Sequence, residues 1–168
     1  YDCGGTVSSH AVDNCLILNC TGGTGAATDC VFVKVDTSGS ITGGNATDCI
    51  FLNCSAGNVV YGTATGCTLE NCETNGLNGC VKENAEDCTF TNCSSSSSNY
   101  NSYIVAGGTT NCTFTNCSSS GYIVGSDATH CAFMNCSISS SGSSYIVAGG
   151  TTNCTFTNCS ISSSSGQG

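Results

Sequence analysis

The chain contains no proline, no tryptophan and no arginine, and its whole basic complement is Lys34 and Lys82. Against 11 acidic residues this leaves a formal charge of −9 at pH 7. With nothing to neutralise phosphates, nucleic acid and anionic membrane surfaces are excluded as partners. Long apolar runs are also missing, so no segment is expected to insert into a bilayer. Helix formers are scarce. Gly, Ser, Thr, Asn and Cys dominate instead, a profile that suits short strands and turns. At 168 residues with 39% hydrophobic content, the expectation is one domain, 1–168, around a continuous core. The chain opens on Tyr1 with no leader, which reads as a processed chain or an excerpt.

Cysteine is abundant. The 17 cysteines are at a density that points to an oxidising compartment, hence to an extracellular or cell-surface location. They follow a repeat. The unit C-x-F-x-N-C begins at Cys15, Cys30, Cys49, Cys67, Cys88, Cys112, Cys131 and Cys154, and Tyr103 to Ser118 recurs identically as Tyr145 to Ser160. Eight turns follow. Length differences fall after the second cysteine, in serine-rich loops, and an apolar patch such as Ile104-Val105 or Ile146-Val147 precedes each unit, so each turn carries at least two short strands.

Strand alternation places Cys, Phe and Asn of the unit on one face. The large apolar column is Ile17, Phe32, Phe51, Leu69, Phe90, Phe114, Phe133 and Phe156. A core of this kind forms only when rungs stack about 4.8 Å apart, since no single repeat buries it. The asparagine column is Asn19, Asn53, Asn71, Asn92, Asn116, Asn135 and Asn158, interrupted by Lys34. Asparagine tolerates a left-handed corner, and its amide can bond to the amide above, which predicts an inward-facing turn ladder. An inward ladder carries no glycan. Asn45 in a Gly-rich loop and the outward Asn111 and Asn153 are the glycosylation candidates.

The stretches NCTFTNCS at 111–118 and 153–160 resemble the degenerate repeats of right-handed parallel β-helix proteins, the pectin-lyase-like group and the polymorphic outer-membrane-protein repeats of surface adhesins. That resemblance implies an all-β, single-stranded parallel solenoid, right-handed, uncapped here at both ends. It is almost silent on activity, because the group includes lyases, hydrolases, adhesins and structural shafts.

Neighbouring rungs bring equivalent α-carbons within disulfide range. The expected bridges are Cys15–Cys30, Cys49–Cys67, Cys88–Cys112 and Cys131–Cys154 in one column, and Cys3–Cys20, Cys54–Cys72, Cys93–Cys117 and Cys136–Cys159 in the other, leaving Cys80 unpaired. The alternative is a ladder of reduced thiols, because stacked β-carbons lie farther apart than a relaxed bridge prefers. Pairs spaced C-x4-C do not suit zinc or an iron–sulfur cluster.

No cofactor is expected, and no catalytic residue is assigned. Asp29 and Asp48, at equivalent outward positions, are weak calcium candidates. Leu16, Leu18, Val31, Val33, Ile50 and Leu52 should form an outward apolar patch three rungs tall, a surface that monomers seldom leave wet. The leading expectation is a structural subunit whose partner is itself, stacked head to tail into a filament. Its alternatives are an ice-binding or adhesive module using outward threonines such as Thr113 and Thr115, or a fragment of a larger adhesin.

Overall fold

A computed structural model of the chain describes residues 10–75, 79–97 and 102–163. Within them are 27 strands of two to four residues and no helix. Every strand pairing is parallel and in register. Ile17, Phe32, Phe51, Leu69, Phe90, Phe114, Phe133 and Phe156 face one another rung by rung. The chain is an all-β parallel solenoid of about eight turns.

The expected minimum of two short strands per turn is met and exceeded. One eight-stranded sheet holds the C-x-F-x-N strands and a second holds two-residue strands just before them, such as Ala64–Thr65. A six-stranded sheet follows the second cysteine, and the Ile-Val strands pair in two smaller sheets. The extra sides arise at two left-handed corners. The residue before the first cysteine has positive φ in Asn14, Asp29, Asp48, Gly66, Asp87, Asn111, His130 and Asn153. The residue before the second does so in Asn19, Lys34, Asn53, Asn71, Asn92, Asn116, Asn135 and Asn158. Asn and Asp occupy this region at little cost, which is why they recur there.

The corners also correct the expected facing of the asparagines. Strict alternation would put them inside with Cys and Phe. The left-handed residue breaks the alternation, so inward positions fall two and three residues apart, as in Ala64, Cys67, Leu69, Cys72 and Thr74, all buried. The whole asparagine column, Asn19, Asn53, Asn71, Asn92, Asn116, Asn135 and Asn158, is exposed at the corner instead.

The core is the apolar column. Phe32 and Phe51 stack with centroids 4.8 Å apart, and Phe90, Phe114, Phe133 and Phe156 form a continuous stack at 4.7 to 4.9 Å. Burying each ring contributes about 1.5–3 kcal/mol. Loop closure is equally tight where Gly79, at φ 79°, lies so close to the Tyr103 carbonyl that a β-carbon would collide with backbone.

Candidate functional site

The cysteines line the interior on both sides of the phenylalanine stack. Cys30, Cys49, Cys54, Cys67, Cys72, Cys88, Cys93, Cys112, Cys117, Cys131 and Cys136 are buried, and Cys15, Cys154 and Cys159 at the column ends are half-buried. All are free thiols. The expected bridges Cys15–Cys30, Cys49–Cys67, Cys88–Cys112, Cys131–Cys154, Cys54–Cys72, Cys93–Cys117 and Cys136–Cys159 are therefore not formed. In an in-register column each sulfur has an equivalent neighbour above and below, and the rung repeat of about 4.8 Å exceeds the β-carbon separation of about 3.8 Å that a bridge prefers. Cys20 is disulfide-bonded, whereas the assignment of Cys3 as its partner lies outside the described residues. Cys80 is buried and free.

Most of the thiols donate to a carbonyl of the rung below, and Cys131 donates to the Thr109 hydroxyl. Cys72, Cys93, Cys117, Cys136 and Cys159 donate to the carbonyls of Phe51, Leu69, Phe90, Phe114 and Phe133 one rung below, at 3.4 to 3.6 Å. In the other column Cys67, Cys88, Cys112 and Cys154 donate to the carbonyls of Ala46, Ala64, Ala85 and Ala128. Stacked thiols also perturb one another's ionisation along the column. The interaction with Cys67 and then burial raise the Cys49 pKa, and the interaction with Cys72 and then burial raise that of Cys54. Cys136 is raised by Cys117 and burial in the same way. Cys112 is raised as it shares protons with Cys131 and Cys88, which are lowered.

Outside, the corner asparagines form a hydrogen-bonded amide ladder. Asn71 donates to Asn53 at 3.2 Å, Asn92 to Asn71 at 3.0 Å, Asn116 to Asn92 at 3.1 Å and Asn135 to Asn116 at 3.2 Å. The other corner has a shorter version, with Asn111 donating to Asp87 at 3.1 Å and Asn153 Nδ2 lying 3.0 Å from His130 Nε2. Asp29 and Asp48 belong to this corner column as exposed left-handed residues. Among the described residues no three His, Cys, Asp or Glu side chains converge on a point that could hold a metal. Asn45, Asn111 and Asn153 are all exposed, and Asn45 Oδ1 accepts a hydrogen bond from the Thr63 amide at 3.1 Å.

Of the apolar patch, Leu16 is 51% and Ile50 39% exposed, while Leu18, Val31, Val33 and Leu52 are half-buried. The register stacks them as two vertical rows, Leu16-Val31-Ile50 and Leu18-Val33-Leu52. A further row was not singled out in the sequence. Thr28, Thr47, Thr65, Thr110, Thr129 and Thr152 point outward from the two-residue strands, pairing rung to rung except where Glu86 intervenes. Its signal is the recurrent Ala-Thr or Thr-Thr pair two residues before the first cysteine.

The last described rung is unlike the rest. Thr151–Thr152, Thr155–Thr157 and Ser160–Ser163 are the terminal strands of their sheets. Phe156 is 45% and Ile161 38% exposed, whereas Phe133 and Ile138 one rung below are 0% and 2%.

No protein family matches the chain, and no curated protein does. Two solved structures of trypsin-treated QnrB1, a plasmid-mediated fluoroquinolone resistance protein, are similar to it. One aligns over 93% of this chain and 81% of its own length at 15% identity, with a TM-score of 0.40. The other aligns over 93% and 79% at 16% identity, with a TM-score of 0.30. Likenesses this distant say nothing of activity or partner, and the solenoid assignment rests on the chain's own strand registers.

Proposed function

We propose that this chain is a structural solenoid subunit that lengthens by stacking a second copy on the strands of its last described rung, forming a fibre. The observation that supports it is the exposure of Phe156 and Ile161 at positions that Phe133 and Ile138 bury one rung below. Terminal strands with an apolar inward row are a template for one more rung. The first C-x-F-x-N-C unit of another copy is suited to it, with Ile17 over Phe156 and Asn19 extending the amide ladder from Asn158. The apolar rows on the side face would then bundle fibres laterally. Right-handed winding, which the β-helix resemblance implies, belongs to this proposal. So does an extracellular location, although columns of free thiols are equally at home in a reducing compartment.

Sedimentation velocity under reductant tests the edge. The unaltered chain should run as large species of mixed length, and a Phe156→Lys, Ile161→Lys double variant as a monomer with the same strand circular dichroism. A monomeric unaltered chain overturns the proposal, as does a double variant that assembles equally well.

The row of outward threonines supports a second reading, an ice-binding face. It predicts inhibition of ice recrystallisation that is lost in a Thr47→Lys, Thr129→Lys variant.

A further inference from the structure

The two thiol columns are more than a way of filling the core. Alanine, valine or serine would fill small inward positions as well, and Val35 does so at the one gap, between Cys20 and Cys54. Elsewhere the sulfur is kept at every rung. The first column runs unbroken through Cys15, Cys30, Cys49, Cys67, Cys88, Cys112, Cys131 and Cys154, and the second through Cys54, Cys72, Cys93, Cys117, Cys136 and Cys159.

Their geometry selects one coordination number. Among the described residues no three donors converge, so a tetrahedral zinc site or a cluster has no place. The columns offer pairs. Because the strands carrying them stack in register, equivalent cysteines of neighbouring rungs are offset along the axis by about one rung, about 4.8 Å. Two metal–sulfur bonds near 2.3 Å placed in line span about 4.6 Å. The surroundings are Phe rings, alanines and backbone carbonyls, with one hydroxyl, that of Thr109, accepting from Cys131 at 3.4 Å.

We propose that the columns are linear two-coordinate sites for soft, thiophilic d10 cations, one ion between the sulfurs of each pair of neighbouring rungs. Thiolate sulfur selects ions of this class. Each binding event breaks two S–H bonds, forms two S–metal bonds and releases two protons to solvent, with no electron transferred. A divalent ion leaves a neutral dithiolate, the form an apolar core tolerates best. Ions enter at the half-buried ends, Cys15, Cys154 and Cys159, or as the turns close during folding. Pairing the eight thiols of the first column and the six of the second gives four and three sites.

The test titrates the full chain with its column thiols free and the Cys20 disulfide intact, without air, with mercuric chloride and separately with silver nitrate, and counts bound ions by native mass spectrometry. The expected result is seven mercury ions per chain, two sulfur neighbours per ion by X-ray absorption, unchanged strand circular dichroism and a raised melting temperature. Silver should give the same two-sulfur shell, and zinc chloride no uptake. Cys93→Ser should reduce the mercury count from seven to six. Loss of the strand signal on loading overturns the proposal. So do three- or four-sulfur coordination, zinc uptake equal to that of mercury, or an unchanged count in Cys93→Ser.

Discussion

Phe114→Ala removes the middle ring of the longest aromatic stack. Phe114 is fully buried, with Phe90 at 4.7 Å on one side and Phe133 at 4.9 Å on the other. Truncating a core phenylalanine costs about 3–5 kcal/mol. Each aromatic pair adds about 0.5–1.5 kcal/mol beyond area, so losing two pairs sets the expectation at the upper end. Phe156→Ala is the internal control, because that ring is 45% exposed and stacks on one side only. Its loss should cost about 0.75–1.5 kcal/mol, roughly half the area term. Guanidinium unfolding followed by circular dichroism, on dispersed protein under reductant, measures both. Rungs couple only to their neighbours, so Phe114→Ala should also broaden the transition by uncoupling the two halves. Equal losses at the two sites would refute the account of the core as a stack whose last ring is half uncovered.

Asn92 combines φ 52° with two ladder hydrogen bonds. Asn92→Ala should therefore cost about 1–2 kcal/mol and Asn92→Gly less, since glycine loses the bonds but not the backbone fit; urea midpoints compare them. Gly66 occupies a corner that the neighbouring rungs give to Asp48 and Asp87. Gly66→Asn should be close to neutral in a melting assay, because the entropy gain is offset by a β-carbon that meets the Asp48 carboxylate and forces it to turn. Brief maleimide treatment of native protein should label Cys15, Cys154 and Cys159, which are half-buried, and spare Cys49 and Cys93 until the chain unfolds, as read by mass spectrometry. Thiols raised in the folded state, Cys49, Cys54 and Cys136 among them, hold their protons while the unfolded chain loses them. The contribution of these thiols should thus be intact below the ordinary thiol range and fall as the pH rises above about 9. Unfolding midpoints from pH 7 to 10 under reductant check the sign.

Much of this fold was legible in the sequence because a solenoid writes its columns as a period. The spacing of Cys, Phe and Asn placed the apolar column from Ile17 to Phe133 in the core, where it lies. What misled was the rule of strict alternation. Asn71 and Gly66 take left-handed backbone, each turning the chain by a corner, so the asparagines came out rather than in and each turn gained sides. The thiols were ambiguous for a different reason. Sequence shows that Cys72 stacks between Cys54 and Cys93, but a bridge and a thiol stack need the same register and differ only in the last ångström. The threonine row was present in the letters as Ala46-Thr47 and Ala128-Thr129, and two-residue strands are too short for periodicity to flag. The apolar patch followed from outward positions alone, as Ile50 illustrates.

The central claim is that the last described rung, at Phe156 and Ile161, is an assembly surface. Negative-stain electron microscopy of the unaltered chain at neutral pH, with reductant present, tests it most directly. The account predicts unbranched filaments of uniform width, with an axial repeat near the rung spacing of about 4.8 Å in their diffraction. Dispersed single particles at every concentration would contradict it.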